Sequence, residues 1–197
     1  PRAPRHARGW LTTRRDTPDA LLLDNVAYAV LPAPAPHRVL LVTKGNWFFE
    51  KLLAADQQVQ FELIEPGAWQ ADFAAKFDAI ILDNFLPPGF DLAQAKGNFL
   101  FLKQSPFTTS DPPIEQPLIS DTEAMHPALR LVSLQNVTIL RASSSKVPKP
   151  GDGWTWQAPL RSFDHPMLIT GERRSDGGEQ RMAALSFDVA DSDLPLR

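Results

Sequence analysis

The sequence predicts an α/β domain: a mostly parallel sheet with helices on both faces, preceded by an N-terminal β arm and closed by a C-terminal antiparallel hairpin. Three observations carry this. VLLV at 39–42, AIIL at 79–82 and NFLFL at 98–102 are short, continuously apolar, β-rich runs, as expected of strands covered on both faces. Helical patterns separate the early strands, and strand–helix–strand alternation implies right-handed crossovers into a parallel sheet. Near the end, apolar stretches at 167–171 and 182–187 flank Ser-Asp-Gly-Gly-Glu, a hairpin turn signal.

Composition bounds the rest. With 197 residues, 43% hydrophobic and 22% charged, the chain is a globular domain with ample core, alone or with part of another. A net charge of −3 argues against nucleic acid as a partner, which calls for a basic face. The absence of cysteine excludes disulfides, thiolate metal sites and a cysteine nucleophile. No apolar run reaches the ~18 to 20 residues of a membrane span. Arg2, Arg5, Arg8, Arg14 and Arg15 are not followed by the apolar core of a signal peptide. The chain starts at Pro1 and stops at DSDLPLR, which we read as part of a longer protein.

In order along the chain, the basic, proline-containing residues 1–8 are expected to lack order at their start. Val26, Tyr28 and Val30 alternate with smaller residues as in a half-buried strand, with residues 21–23 extending the apolar character upstream. LPAPAP then makes a stiff linker. Residues 1–36 are therefore expected to be the tail of a preceding β-rich segment, and 37–197 the α/β domain. VLLV is its first central strand. Asn46 caps a helix over 47–55, with Glu50 in the first turn to favour the positive helix end. VQFELI at 59–64 alternates as a peripheral strand, and 68–77 is a short helix candidate. AIIL ends at Asp83 and Asn84, LPPG breaks the chain, and NFLFL follows. Residues 103–123 read as a long loop, functional or disordered. Residues 129–140 hold one or two strands.

Chemistry-bearing residues are few. The turn Thr43, Lys44, Gly45 and Asn46 sits where a strand meets a helix N-terminus, a place that can cradle an anion or small ligand, but it matches no phosphate-loop fingerprint. Asp83 and Asn84 end a buried strand at the sheet edge where α/β sites sit, so Asp83 is a candidate base or metal ligand, against a local capping role. His6, His37, His126 and His165 show no metal-ligand spacing. No GxSxG elbow exists, and Ser105 lies in QSPF, where Pro106 hinders a strand-to-helix turn. Asp188, Asp191 and Asp193 form an acidic cluster without the glycine and terminal glutamate of a calcium loop. Trp154 and Trp156 fit either a contact surface or strand packing. Trp47, Phe48 and Phe49 are too many for one helix face, so part of this cluster packs on a neighbour or forms an interaction patch.

Taken together, DNVAYAVLP, RVLLVTKGNWFFEKLL, FDAIILDNFLPP, GNFLFL and LSFDVADSDLPLR resemble one family over residues 22–197. It is the class I glutamine amidotransferase-like region of large bacterial membrane proteins that carry a BatA-type N-terminus and a von Willebrand factor A domain. The resemblance implies a flavodoxin-like sheet. In true amidotransferases of this class a cysteine follows a central strand in a glycine-flanked elbow, with a histidine and a glutamate downstream. Here the corresponding strand, 98–102, is followed by KQSP, so the nucleophile and its glycines are missing.

What the resemblance then implies is a vestigial pocket of Thr43, Gly45, Asn46, Asp83, Asn84, Gln104 and Ser105, with no catalytic residue, metal or cofactor. It also implies membrane attachment through segments outside this chain, with the domain on the extracytoplasmic side. The expected function is a non-catalytic, membrane-proximal interaction or assembly domain with protein partners and no nucleic acid. Recognition would run through the 103–123 loop and exposed aromatics. The alternative is a hydrolase or sugar-processing enzyme on the same fold, using Asp83 and a metal, with His126 as a further candidate. A third reading is a small-ligand sensor at residues 43–46.

Overall fold

The computed structural model describes residues 5–10, 26–31, 35–130, 132–175 and 178–194. The chain divides into two units, Pro1–Pro36 and His37–Arg197. In the first, β1 (Arg5–Trp10) pairs antiparallel with β2 (Val26–Leu31), from Arg5 opposite Leu31 to Trp10 opposite Val26. The expected strand near Val26 is present, and β1 forms inside the basic stretch from which no strand was expected. Residues 21–23 and 32–34 of the expected strand extension and linker lie outside the described residues, as do turn residues Asp176 and Gly177.

The second unit is α/β, built on an eight-stranded mixed sheet. Its strands are β3 (His37–Val42), β4 (Val59–Ile64), β5 (Ala79–Asp83), β6 (Phe99–Leu102), β8 (Asp121–Thr122), β10 (Trp154–Ser162), β11 (His165–Ser175) and β12 (Gly178–Leu185). Their spatial order is β4-β3-β5-β6-β12-β11-β10-β8. The pairs from β4 to β12 are parallel, and those from β12 to β8 are antiparallel. The expected hairpin is β11–β12, in register from Leu168 opposite Leu185 to Ser175 opposite Gly178. A separate two-stranded sheet joins β7 (Ile114–Glu115) to β9 (Arg141–Ala142).

Side-chain alternation assigns the core to two faces. Leu40, Val42, Ile80, Leu82, Phe99, Phe101, Met182 and Ala184 pack together on one face. Val39, Leu41, Ile81 and Leu102 pack on the other, against Phe49 and Leu53 of α1 (Trp47–Ala55). This helix forms where expected, because the Asn46 side chain accepts from the Phe49 N–H at 3.3 Å and Glu50 lies in the first turn. Trp47 remains 63% exposed while Phe49 is buried.

The helical content falls short of the expectation of helices on both faces. Among the described residues α1 is the one α-helix, and the opposite face is covered by irregular chain. The helix expected over 68–77 is absent; residues 66–77 form two 3-10 turns, Pro66–Ala68 and Ala71–Ala75, neither with a side-chain N-cap. So short a segment, opened by Pro66 and Gly67, cannot offset the cost of helix nucleation and is held instead by Trp69 and Phe73 packing on the sheet. Residues 84–98 cover the same face through Phe85, Leu86, Phe90 and Leu92. Arg173 anchors that segment. Its guanidinium lies 4.7 Å over the Trp154 ring and donates to the carbonyls of Leu92, Ala93 and Ala95.

Strands expected at 129–140 are absent from the described part of that range. His126 and Leu129 carbonyls are taken up by turn bonds from Leu129, Arg130 and Val132, which prevents an extended run; an isolated bridge from Ile139 to Ser192 is the pairing in this range before β9. The 103–123 loop contributes β7 and β8, the latter ending the sheet. Trp154 and Trp156 are packing residues: their rings stack at 5.0 Å, with Phe107 edge-on at 4.9 Å from Trp156. No helix among the described residues is long and apolar enough to cross a membrane.

Candidate functional site

In an open sheet, crevices form where successive connections leave in opposite directions, beyond the carboxyl ends of the strands. Here the chain leaves β3 for β4 on one side and returns to β5 on the other, so that point lies between the ends of β3 and β5. Thr43 follows one strand and Asp83 ends the other. Both are buried, at 1% and 8% exposure.

The Thr43 hydroxyl donates to Asp83 Oδ2 at 2.5 Å and accepts from the Gly45 N–H at 2.9 Å. Gly45 has φ +127°, so glycine is what lets the turn fold back onto Thr43. Asn46 is buried beside them, and α1 starts immediately after it. Asp83 Oδ1 has no hydrogen-bond partner among the described residues. Burial pushes the Asp83 carboxyl above its usual range, and the nearby Asp188 carboxylate adds to this. Hydrogen bonding from Thr43 and Asn46 opposes it, as does the positive charge of Lys103.

The neighbouring strand end completes the edge. Lys103 follows β6 in the left-handed region at φ +67°, and Asn84 follows β5 at φ +47°. Both are non-glycine residues in a sparsely populated conformation, and both backbones are tied into the sheet: Asn84 N–H donates to the Leu102 carbonyl, and Lys103 N–H to that of Leu185. Lys103 Nζ lies 3.1 Å from Asp191 Oδ2. Asp188 caps the 3-10 turn Val189–Asp191 by accepting from Ala190 N–H.

Of the sequence-derived site residues, the structure brings Thr43, Gly45, Asn46 and Asp83 together. Asn84 sits beside them with its side chain exposed. Gln104 is exposed, and its N–H donates to the Leu102 carbonyl. Ser105 is buried in its own turn, where its hydroxyl meets Thr108 Oγ1 at 3.3 Å and accepts from the Phe107 N–H. Lys103, Asp188 and Asp191 were not singled out as members of one site. They meet because β12 docks beside β6, a pairing that no local sequence signal announces.

His126 lies elsewhere. With Ala79, Leu100, Thr170, Glu172 and Arg181 it lines a cavity of about 340 Å³. Its Nδ1 accepts from the Ala128 N–H, and its Nε2 faces Gln157 and Thr170 at 3.1 and 3.2 Å. Ala79 and Asp83 are the two ends of β5, so His126 and Asp83 do not share a site. Among the described residues no group of three His, Asp or Glu side chains is placed to hold a metal ion. The switch-point cluster sets the Asp83 carboxyl against the Thr43 hydroxyl, with the Lys103–Asp191 pair at the neighbouring strand end. No protein-family model, curated protein or solved structure matches the chain.

Proposed function

We propose that this chain is a non-catalytic interaction or assembly domain on a flavodoxin-like, class I amidotransferase-like sheet. We place it next to the membrane, on the extracytoplasmic side, in a larger bacterial protein of the von Willebrand factor A type. The parallel part of the sheet, β4-β3-β5-β6-β12, supports the fold reading, because in order of appearance it is the doubly wound arrangement 2-1-3-4-5.

The observation that carries the functional reading is the residue after β6. In the resembled enzymes this is the nucleophile's elbow. Here it is Lys103, with its ammonium engaged by Asp191. The nearest hydroxyl downstream, Ser105, is spent in its own turn. Partner binding is supported by the apolar side chains left on the surface, Trp47 and Leu52 of α1 among them.

Two measurements test this. Glutamine and a panel of amide and ester substrates should show no turnover above background, and Lys103→Ala should change nothing; turnover that Asp83→Asn abolishes would overturn the reading. In the full-length protein in its membrane, a photo-reactive residue at Trp47 should yield a discrete protein adduct, whereas one at exposed Lys149 should not.

A further inference from the structure

The two ends of the eight-stranded sheet are built differently. At one end β8 is only two residues long, a common way of blunting an edge. At the other, β4 is a regular six-residue strand in unbroken register with β3, without proline, lysine or bulge. Among the described residues no strand pairs with its outer side.

The hydrogen bonds to β3 set which backbone groups face out. His37 N–H donates to the Gln58 carbonyl and Thr43 N–H to that of Ile64, so even-numbered residues of β4 bond inward. The N–H and C=O groups of Phe61 and Leu63 and the C=O of Val59 therefore point outward, while the Val59 N–H is already taken by the Asp56 carbonyl at 3.1 Å. The side chains of these three share the sheet face that α1 covers; Val59 and Phe61 pack there, and Leu63 is 45% exposed.

We propose that this edge is an interface for a second copy of the chain, with the two β4 strands antiparallel about a two-fold axis at Phe61. In that register both outward groups of Phe61 pair with those of the partner's Phe61, and each Leu63 N–H meets the partner's Val59 carbonyl. Val59 lies opposite the partner's Leu63 on one face. On the other face Gln60 lies opposite the partner's Glu62, so an amide meets a carboxylate twice. The register two positions on puts Glu62 opposite its own copy, and like charges directly opposite are unfavourable. The register two positions back leaves Leu63 without an apolar residue of the partner's β4 opposite it. A two-fold interface has to be self-complementary, and this strand is so in one register. The inference gives the proposed interaction domain a partner but does not depend on the spent elbow. A monomer that binds other proteins would sink this inference alone.

Because the chain has no cysteine, introduced thiols report without background. Gln60 and Glu62 are both exposed. Each would form a non-hydrogen-bonded cross-strand pair with the other, with Cα atoms about 4.5 Å apart, inside the ~4.4–6.8 Å that a disulfide spans. The 197-residue chain should double in mass with rising concentration in sedimentation. Under mild oxidation, a mixture of the Gln60→Cys and Glu62→Cys chains should cross-link, whereas neither alone should. Leu63→Pro removes an outward N–H without touching a bond to β3, so it should abolish both dimer and cross-link while leaving the circular dichroism of the monomer intact. A concentration-independent monomer, cross-linking of either single variant by itself, or a dimer indifferent to Leu63→Pro would each overturn the proposal.

Discussion

Asp83 is held in the fold at a local cost. The residue is buried, and its carboxyl, with one oxygen unpartnered among the described residues, is disfavoured when ionised. Its folded-state affinity for a proton is raised above that of the unfolded chain, so the stability it contributes is complete at low pH, below the ordinary aspartate range. That contribution is lost as pH rises through the elevated folded-state value. Asp83→Asn should therefore flatten the decline in stability over this window. At neutral pH it should raise stability, because the amide carries no charge to bury and its carbonyl oxygen still accepts from the Thr43 hydroxyl. Urea melts of both chains at acidic and neutral pH check this, and a parallel decline in the two would show that Asp83 is not its source. Sequence reading identified Asp83, Thr43 and Asn46 one by one from their strand-end and cap positions. The bond between Thr43 and Asp83 was not legible, because it follows from which strands are neighbours. Asp188 and Asp191 read only as part of an acidic cluster for the same reason: their meeting with Lys103 depends on strands far apart in the chain.

Among the elements, those with strong local signals are the ones that sequence alone located. The apolar runs of β3, β5 and β6 bury on both faces, and α1 carries a cap and an acidic first turn. Asn46→Ala should cost roughly 1 kcal/mol through loss of the bond to Phe49 N–H, measured by thermal or urea unfolding. A loss well beyond that would measure how much the Asn46 bond to the Asp83 carboxyl adds. Residues 68–77 and 129–140 were misread because their apolar residues serve packing without regular backbone pairing. Trp69 and Phe73 cover the sheet from 3-10 turns, and Leu129 and Ile139 do so from irregular chain. Apolar spacing records burial, and a backbone can satisfy it without a regular element.

At the scale of the molecule, the division at residue 36 separates a two-stranded ribbon from a unit with its own three clusters of buried side chains. A chain beginning at Ala35 should fold by itself, unfold in one cooperative transition and retain the near-ultraviolet signature of the stacked Trp154–Trp156 pair. Loss of that signature on removing the first unit would show that the two are energetically one. Strand order, by contrast, could not be read from local pattern, since β6 meets both β5 and the far later β12.

That last pairing bears on how the protein is made. Synthesis proceeds from the N-terminus, and of the strands in this sheet β12 is made last. Until it does, the Phe99–Leu102 strand that ends at the elbow is an open, apolar border. The carbonyls of Leu92, Ala93 and Ala95 likewise wait for Arg173. Between the synthesis of Phe99–Leu102 and that of β12, the middle of the sheet is therefore unsealed, and it closes when the β11–β12 hairpin docks.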